Sequence, residues 1–474
     1  MISQIRGTIH FKMLEFHEQY GSVVRLAPGE LTYTTATAVK EIYGNRNGRK
    51  LMPPQSSLGA NEKTMFGATS FIWLESHKEH SRHRKILSQG FSDASLKAQE
   101  PMVLGYANLL TQRFRERAAR GEVIDMWAWF NYYTFDIIGD LVFGEPFGCV
   151  DQGQFHPWIS FIFSNLTNMM YAQMIMTMGY LGSFIQALVP KRVMAQALAH
   201  AQSTRDKVDR RLARKDVRPD LISGIMHRVG ALGGGGGGNC NNNNNGISRA
   251  ELYADAQIMI MAGSETSATL LAVAVYHLLR NPGALARLQR EVRGAFAEGS
   301  EVEADVEVNF SAVSRLPYLR AVMDESLRIH PPLPAGINRV VPEGGAVIDG
   351  RFVPEGTVLQ VPSWAAFHLE DSFADPWEFV PERWLGESCP VRYAGDNRDV
   401  FAPFSYGQRS CLGRSLANME TRVCIARLVL GFDMELMEDS HDWNKQKVFL
   451  LYEKRPLNVR LTEVVKSEKN VAVA

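Results

Sequence analysis

The sequence is short of several things, and each shortage excludes something. It has no surplus of charge: 51 Lys and Arg balance 51 Asp and Glu over 474 residues. A nucleic-acid binder or the partner of an acidic surface would carry a basic excess, so neither is expected. It is poor in cysteine, with five at positions 149, 240, 389, 411 and 424. The number is odd, the spacings are wide and no CxxC pair occurs. A disulfide framework and a zinc pattern are therefore excluded, and a reducing compartment fits. The opening "MISQIRGTIHFKMLEFHEQYG" holds no continuous apolar run, so neither a secretory signal nor a membrane anchor is expected in it. No G-x-G-x-x-G stands between a strand pattern and a helix pattern, so a built-in nicotinamide or flavin domain is not expected either. Internal repeats are absent.

What is present reads as a soluble globular chain, 45% hydrophobic and 22% charged. At this length it can bury a large core and still enclose a cavity. Two stretches raise the question of a membrane. Residues 152–190 contain no Asp, Glu, Lys or Arg, but Asn, Gln, Thr and Ser run through their centre. "MIMAGSETSATLLAVAVYHLL", Met259 to Leu279, is long and apolar, yet holds Gly263-Ser264-Glu265-Thr266. Glycine weakens a helix interior by about 1 kcal/mol relative to alanine, and a buried carboxylate costs more unless paired or neutralised. Both stretches are expected to be buried helix, or a surface dipping into a lipid interface, rather than spans.

The local patterns give a mainly α protein with a small β portion. Val23 to Thr35 is β-rich and broken by Pro28-Gly29, a strand pair. "LGGGGGGNCNNNNNG", residues 232–246, cannot build a core and is expected to be a flexible surface loop. The helical pattern resumes at an N-cap, Ser248. Ala346 to Pro362 alternates around Asp349-Gly350 and reads as a hairpin. A last long helix is expected from just after Cys411 to about Leu430.

The stretch richest in chemistry is "FSYGQRSCLGRSLANME", Phe404 to Glu420. Gly407 permits a tight turn and Gly413 a close backbone approach to something bulky. Cys411 lies where a loop opens a helix, and the free N–H groups and positive dipole end there favour a thiolate. Arg409 can meet an anion, and Phe404 can pack on a flat ring. A lone cysteine of this kind would ordinarily be a buried structural residue, but the joint spacing Phe-x-x-Gly-x-Arg-x-Cys-x-Gly suits a thiolate held by backbone donors beneath a planar metal cofactor.

That spacing resembles the cysteine-loop signature of the cytochrome P450 superfamily and matches it at every fixed position. Other stretches then fall into the family's order from about residue 15 to 460. Ala262-Gly263-Ser264-Glu265-Thr266 resembles the oxygen-activating helix motif. Glu325-Ser326-Leu327-Arg328 resembles the Glu-x-x-Arg pair, which an arginine at the Arg383 position joins in the family. His80 and Arg84 match a helix that reaches a haem propionate, with His80 where many members carry Trp, and Arg339 matches a second propionate-binding arginine.

The resemblance implies one P450 catalytic domain over 1–474, a helix-rich body with haem between the long distal helix and the cysteine-loop helix. It implies haem b (iron protoporphyrin IX) with Cys411 as axial thiolate. Phe404, Gly407, Arg409, Gly413, Ala262, Gly263, Arg339, Arg84 and His80 would be around the haem. Thr266 would hold dioxygen or water, and Glu265 would relay protons. Thr266 can alternatively bond back to a helix carbonyl, and Glu265 can pair with an arginine or reach solvent. The implied reaction is the oxidation of a hydrophobic small molecule with O2, using electrons from an NADPH–cytochrome P450 reductase. "GSVVRLAPGEL" and "FDIIGDLVFGEPFG" look like fungal members that tailor secondary metabolites such as terpenoids, polyketides and aromatics. The pocket is expected to draw on Gln55–Ile72, Met169–Met178, Met261-Ala262, Leu333–Ile337 and Val448-Phe449. The family's usual seat is the cytosolic face of the endoplasmic reticulum. The sequence shows no transmembrane anchor, which leaves peripheral membrane contact or a cytoplasmic location open. A haem-binding sensor or carrier without turnover is the alternative reading, and it would need Cys411 but not the Glu265-Thr266 pair.

Overall fold

The computed structural model of the chain describes residues 2–44, 52–55, 63, 65–160, 191–214, 216, 218–226, 229, 246–297, 308–449, 451–453 and 455–464. The Met169–Met178 region and 232–245 of the Gly/Asn run, on which two expectations rested, lie outside the described residues.

Seven helices position the site: α1 (Ile9–Tyr20), α2 (His77–Leu87), α3 (Asp93–Ala118), α4 (Met126–Phe143), α5 (Arg249–Arg280), α6 (Pro317–Ile329) and α7 (Arg414–Gly431). The longest, α5, starts where its sequence says it should. Ser248 Oγ accepts the Glu251 N–H at 3.2 Å, and Glu251 Oε2 accepts the Ser248 N–H at 2.7 Å. This reciprocal cap satisfies two donors that the first turn leaves open. Thirty-two residues give α5 a length of about 48 Å. Among the described residues it is the one helix long and apolar enough to cross a membrane, and 78% of its most apolar window is buried inside the protein.

Much of that burial is against α4, which packs along it. Helix α4 is apolar nearly all round, and all its residues but Ala128 are buried, the mark of a helix inside a core. It begins on the Asp125 side chain, which accepts the Ala128 N–H, and ends at Gly144 in the left-handed conformation. A Cβ on Gly263 would meet Ile138 of α4 at 3.1 Å. The glycine inside the long helix thus lets these two core helices approach closely.

The strands are short. A four-stranded sheet joins β1 (Val23–Ala27), β2 (Glu30–Tyr33), β3 (Arg339–Val340) and β6 (Val358–Gln360), in the order β1-β2-β6-β3. Glu30 stands opposite Val358 in its one parallel pairing. Between β3 and β6, β4 (Ala346–Ile348) and β5 (Arg351–Val353) form the expected hairpin. Asp349 and Gly350 turn it at φ 49° and 74°, the left-handed pair such a two-residue loop requires. A separate sheet of Val123–Asp125, Phe432–Leu436 and Asn458–Glu463 ties the start of α4 to the end of α7.

A buried ionic network braces α6. Glu325 receives Arg328 at 2.8 and 2.9 Å, Arg383 at 3.2 Å, the Trp384 indole at 2.9 Å and the Val380 N–H at 2.8 Å. Arg328 also donates to the carbonyls of Phe367, Pro376 and Glu378, and Arg383 to Asp396. Glu325, Arg328 and Arg383 are fully buried, so each charge depends on the others for what water would otherwise supply.

Candidate active site

The loop Phe404–Gly413 is folded by two left-handed residues, Ser405 at φ 57° and Gly407 at φ 69°. They turn the chain so that the Cys411 N–H donates to the Phe404 carbonyl at 2.8 Å. Gly413 caps the start of α7, so the last long helix begins just after Cys411, as expected. Cys411 opens onto a cavity of about 280 Å3 while lying deep in the molecule. Burial pushes its thiol up. The Gly413 N–H, Arg84 and Arg414 pull the other way, and burial wins. A thiolate at this place therefore wants a further cation opposite it, which a bound metal ion supplies outright.

The rim of the cavity is positively charged. Arg84 on α2 is tied to the loop through Ser410, donating to its carbonyl at 2.6 Å and its hydroxyl at 3.2 Å. Arg339 is 4% exposed on β3, with its guanidinium 5.5 Å from the Tyr43 ring centre. Arg409 donates from Nη2 to the Leu74 carbonyl at 2.7 Å, while its buried Nε and Nη1 find no partner. Burial holds all three arginines below their ordinary value, Arg409 at about 10. His80 is buried beside them with Nδ1 unpartnered, and burial and then the three arginines push it down to about 3, so it is neutral.

Among the described lining residues, nothing balances this charge. Glu420 is the one carboxylate among the described lining residues. Burial lifts it to about 8 against its hydrogen bond with Ser267, so it is protonated at neutral pH. Uncompensated buried cations are costly, and an anionic group entering the cavity relieves them. A flat macrocycle with two carboxylates at one edge and a metal for Cys411 fits this donor set. Gly413 fits it too: a Cβ there would meet no protein atom nearer than Phe91 at 3.9 Å, so the protein itself leaves that space free.

The opposite wall is the middle of α5. Ala262, Gly263 and Thr266 line the cavity. The Thr266 hydroxyl donates to the Ala262 carbonyl at 2.7 Å, the helix back-bond weighed from sequence. Its proton is engaged and its oxygen can still accept. Glu265 is 1% exposed and is not among the lining residues, so the structure separates the two members of the Glu265-Thr266 pair. Apolar side chains complete the cavity, among them Phe71, Ile72, Ile258, Met259, Leu333 and Ile337.

The sequence reading anticipated Phe71, Ile72, Ala262 and Leu333–Ile337 in part, but chose Met261 where Met259 lines the wall. Val448 and Phe449 lie elsewhere, packed on the N-terminal segment, where the Val448 N–H donates to the Gly7 carbonyl. Tyr43, Phe91, Ile138 and Pro331 were missed. Nothing in their local sequence marks them, whereas Glu420 closes the quoted cysteine stretch and could have been found there. A second, more open groove of about 740 Å3 shares Phe404 and Ser405 with the cavity and carries Lys97, Arg320, Arg414 and Arg422 beside Asp93, Glu100 and Asp324.

Comparison with known proteins agrees with this geometry. The family model described as Cytochrome P450 matches residues 1–459. The chain is similar to the cytochrome P450 monooxygenase astJ of Aspergillus oryzae, 37% identical over 459 residues that cover 96% of this chain and 87% of that protein. It is 39% identical over 469 residues to the cytochrome P450 monooxygenase lcsI of Purpureocillium lilacinum, covering 98% and 86%. With the averantin hydroxylase of Dothistroma septosporum it shares 38% over 468 residues, covering 97% and 83%.

Proposed function

Because the chain belongs to the cytochrome P450 family and is a monooxygenase of the kind found in fungal secondary metabolism, we propose how its own residues serve that reaction. The reading takes 1–474 as one catalytic domain. Cys411 would hold the iron of haem b from below. When bound, the haem supplies the activation of O2 and the insertion of one oxygen atom into the substrate, and its thiolate ligand favours O–O cleavage. Arg84, Arg339 and Arg409, with neutral His80, would take the two propionates. Phe404 would pack on the ring, and Gly407, Gly413, Ala262 and Gly263 would let backbone lie close to it. The observation that carries this is the cavity itself, with Cys411 on its wall, buried Arg339 and half-buried Arg84 and Arg409 around it, and no ionised carboxylate among the described lining residues to balance them.

Thr266 is the proton-handling residue of the opposite wall. With its own proton given to Ala262, it accepts a hydrogen bond from a water or a protonated oxygen in the cavity and orients it. Glu265, the residue before Thr266, lies buried off the cavity and would be the acid that restores protons to that position from the helix interior. The apolar wall formed by Phe71, Ile258 and Leu333 excludes bulk water and selects a hydrophobic substrate. Terpenoid, polyketide and aromatic metabolites meet that requirement. Electrons come from an NADPH–cytochrome P450 reductase, for which the groove carrying Lys97, Arg320, Arg414 and Arg422 is the docking face. For location, our reading is the cytosolic face of the endoplasmic reticulum, in keeping with the microsomal class of its relatives. Those relatives carry the names of oxidising enzymes, so a sensor or carrier is not favoured.

The test is turnover. The haem-loaded chain, reconstituted with an NADPH–cytochrome P450 reductase and a panel of hydrophobic fungal metabolites, is expected to transfer one atom of isotope-labelled O2 into a product. The Cys411→Ser variant is expected to transfer none. Equal labelling by that variant would remove Cys411 from the reaction.

A further inference from the structure

Outside the cysteine loop, the largest concentration of buried charge near the cavity joins α2 to α5. His83 is fully buried with a carboxylate at each ring nitrogen. Asp255 Oδ2 lies 2.9 Å from Nδ1, and Glu251 Oε1 lies 3.2 Å from Nε2. Arg82 Nη2 is also 3.0 Å from Nε2, but it donates to Glu79 and Glu251, which leaves Nε2 free to donate as well. An imidazole facing two carboxylates donates to both only as the cation. Asp255 is fully buried too, and its second oxygen, Oδ1, accepts the backbone N–H of Phe71 at 2.7 Å.

Phe71 belongs to the irregular segment before α2, and with Ile72 it lines the apolar end of the cavity. The segment is pinned on one side by Arg409, which holds the Leu74 carbonyl, and on the other by Asp255. A backbone hydrogen bond fixes where the segment sits whatever its side chains are. A charge-assisted one is stronger than its neutral counterpart. The chain from Glu251 through His83 to Asp255 therefore holds Phe71 over the cavity from a helix that also forms the opposite wall. We propose that Asp255, locked by His83, is a positioning residue that holds the Phe71–Ile72 segment over the substrate end of the cavity and so sets the size and orientation of the molecules that bind. The proposal rests on the monooxygenase reading of the cavity and adds to it what fixes the lid.

The titration of His83 supports the arrangement. Burial opposes its charge, yet its hydrogen bonds to the carboxylates of Asp255 and Glu251 outweigh burial and lift it to about 9. The charged groups around it are Glu79 and Arg82 on its own helix and Glu251 and Asp255 on α5. Because the folded value is raised, its contribution is whole below 6.5 and fades as pH climbs through about 9. The lid is thus expected to loosen on the alkaline side.

Two azoles separate the lid from the iron. Imidazole binds the metal with almost no body to place, whereas 1-phenylimidazole must also fit its ring beneath Phe71 and Ile72. In Asp255→Ala the dissociation constant of 1-phenylimidazole, read from the haem spectrum, is expected to rise about tenfold while that of imidazole stays put. Asp255→Asn keeps an oxygen for the Phe71 N–H but loses the charge that His83 locks, and is expected to recover only part of the difference. Equal changes for both azoles, or none, would overturn the proposal. Should Asp255→Ala not take up haem, the wild-type protein decides. Its preference for 1-phenylimidazole over imidazole is expected to fall as pH passes about 9, and a flat preference contradicts the latch. A wild-type protein with no thiolate-haem spectrum would fail the monooxygenase reading instead, a result distinct from either.

Discussion

Among the described residues, the pair Arg328 and Arg383 and the pair Arg339 and Arg409 are both largely withdrawn from water, and they differ in what they lack. Arg328 and Arg383 are complete: their donors go to Glu325, Asp396 and a ring of backbone carbonyls. Arg409 is incomplete, with Nε and Nη1 buried and without a partner among the described residues, and Arg339 has a 3.5 Å contact to the Asn338 carbonyl and the Tyr43 ring but no carboxylate. Burial makes the same demand of both sets. The first meets it within the chain and is part of the fold. The second meets it only when an anion arrives, and so marks a binding site. A buried charge is informative in proportion to what it leaves unsatisfied.

The comparison breaks most visibly at the complete set. Glu325→Ala leaves Arg328 and Arg383 buried without their shared carboxylate, and is expected to cost about 3–5 kcal/mol. Thermal unfolding and the yield of haem-loaded protein would register it, and a variant that melts with the wild type would deny the network its role. The incomplete set should behave in the opposite way. Arg409→Leu removes a half-buried cation with two unpartnered donors together with its one bond to the Leu74 carbonyl, so the haem-free protein is expected to melt close to wild type. The same variant should lose haem about tenfold more readily, as the loss of one charge-assisted contact implies. Haem transfer to apomyoglobin measures this, and unchanged retention would show that Arg409 does not meet the cofactor.

The smallest effect is expected at Thr266. It lines the cavity like Arg409, but its donor is satisfied by Ala262. Thr266→Ala should therefore shift stability by less than about 1 kcal/mol and leave haem retention as it is. Its effect is expected in coupling, with less product formed per NADPH consumed. Unchanged coupling would leave Thr266 only its helix back-bond.

The residues most legible in sequence are those whose role is local. The cysteine loop was read with Gly407 in a tight turn, which the left-handed Gly407 makes, and with Gly413 giving close backbone approach, where a Cβ would meet no protein atom nearer than Phe91 at 3.9 Å. Ser248 announced the start of α5, and Asp349-Gly350 announced the hairpin turn. Glu325, Arg328 and Arg383 emerged through resemblance, because nothing local joins positions 58 residues apart. What sequence did not yield depends on contacts between distant segments. Gly263 was read as making room for a cofactor. Its backbone does line the cavity, but its missing Cβ is what lets Ile138 of α4 approach. Glu265 and Thr266 are neighbours in sequence, yet helix phase puts only Thr266 on the cavity. The bond from Phe71 to Asp255 spans 184 positions, and no period or motif in either stretch predicts it.

All of this turns on whether Cys411 binds iron in the cavity beneath α5. The most direct measurement is the spectrum of the reduced carbon monoxide complex of the haem-loaded protein, beside that of Cys411→Ser. The account predicts a thiolate-type Soret band in the wild type and its loss in the variant. The same band in both would contradict it.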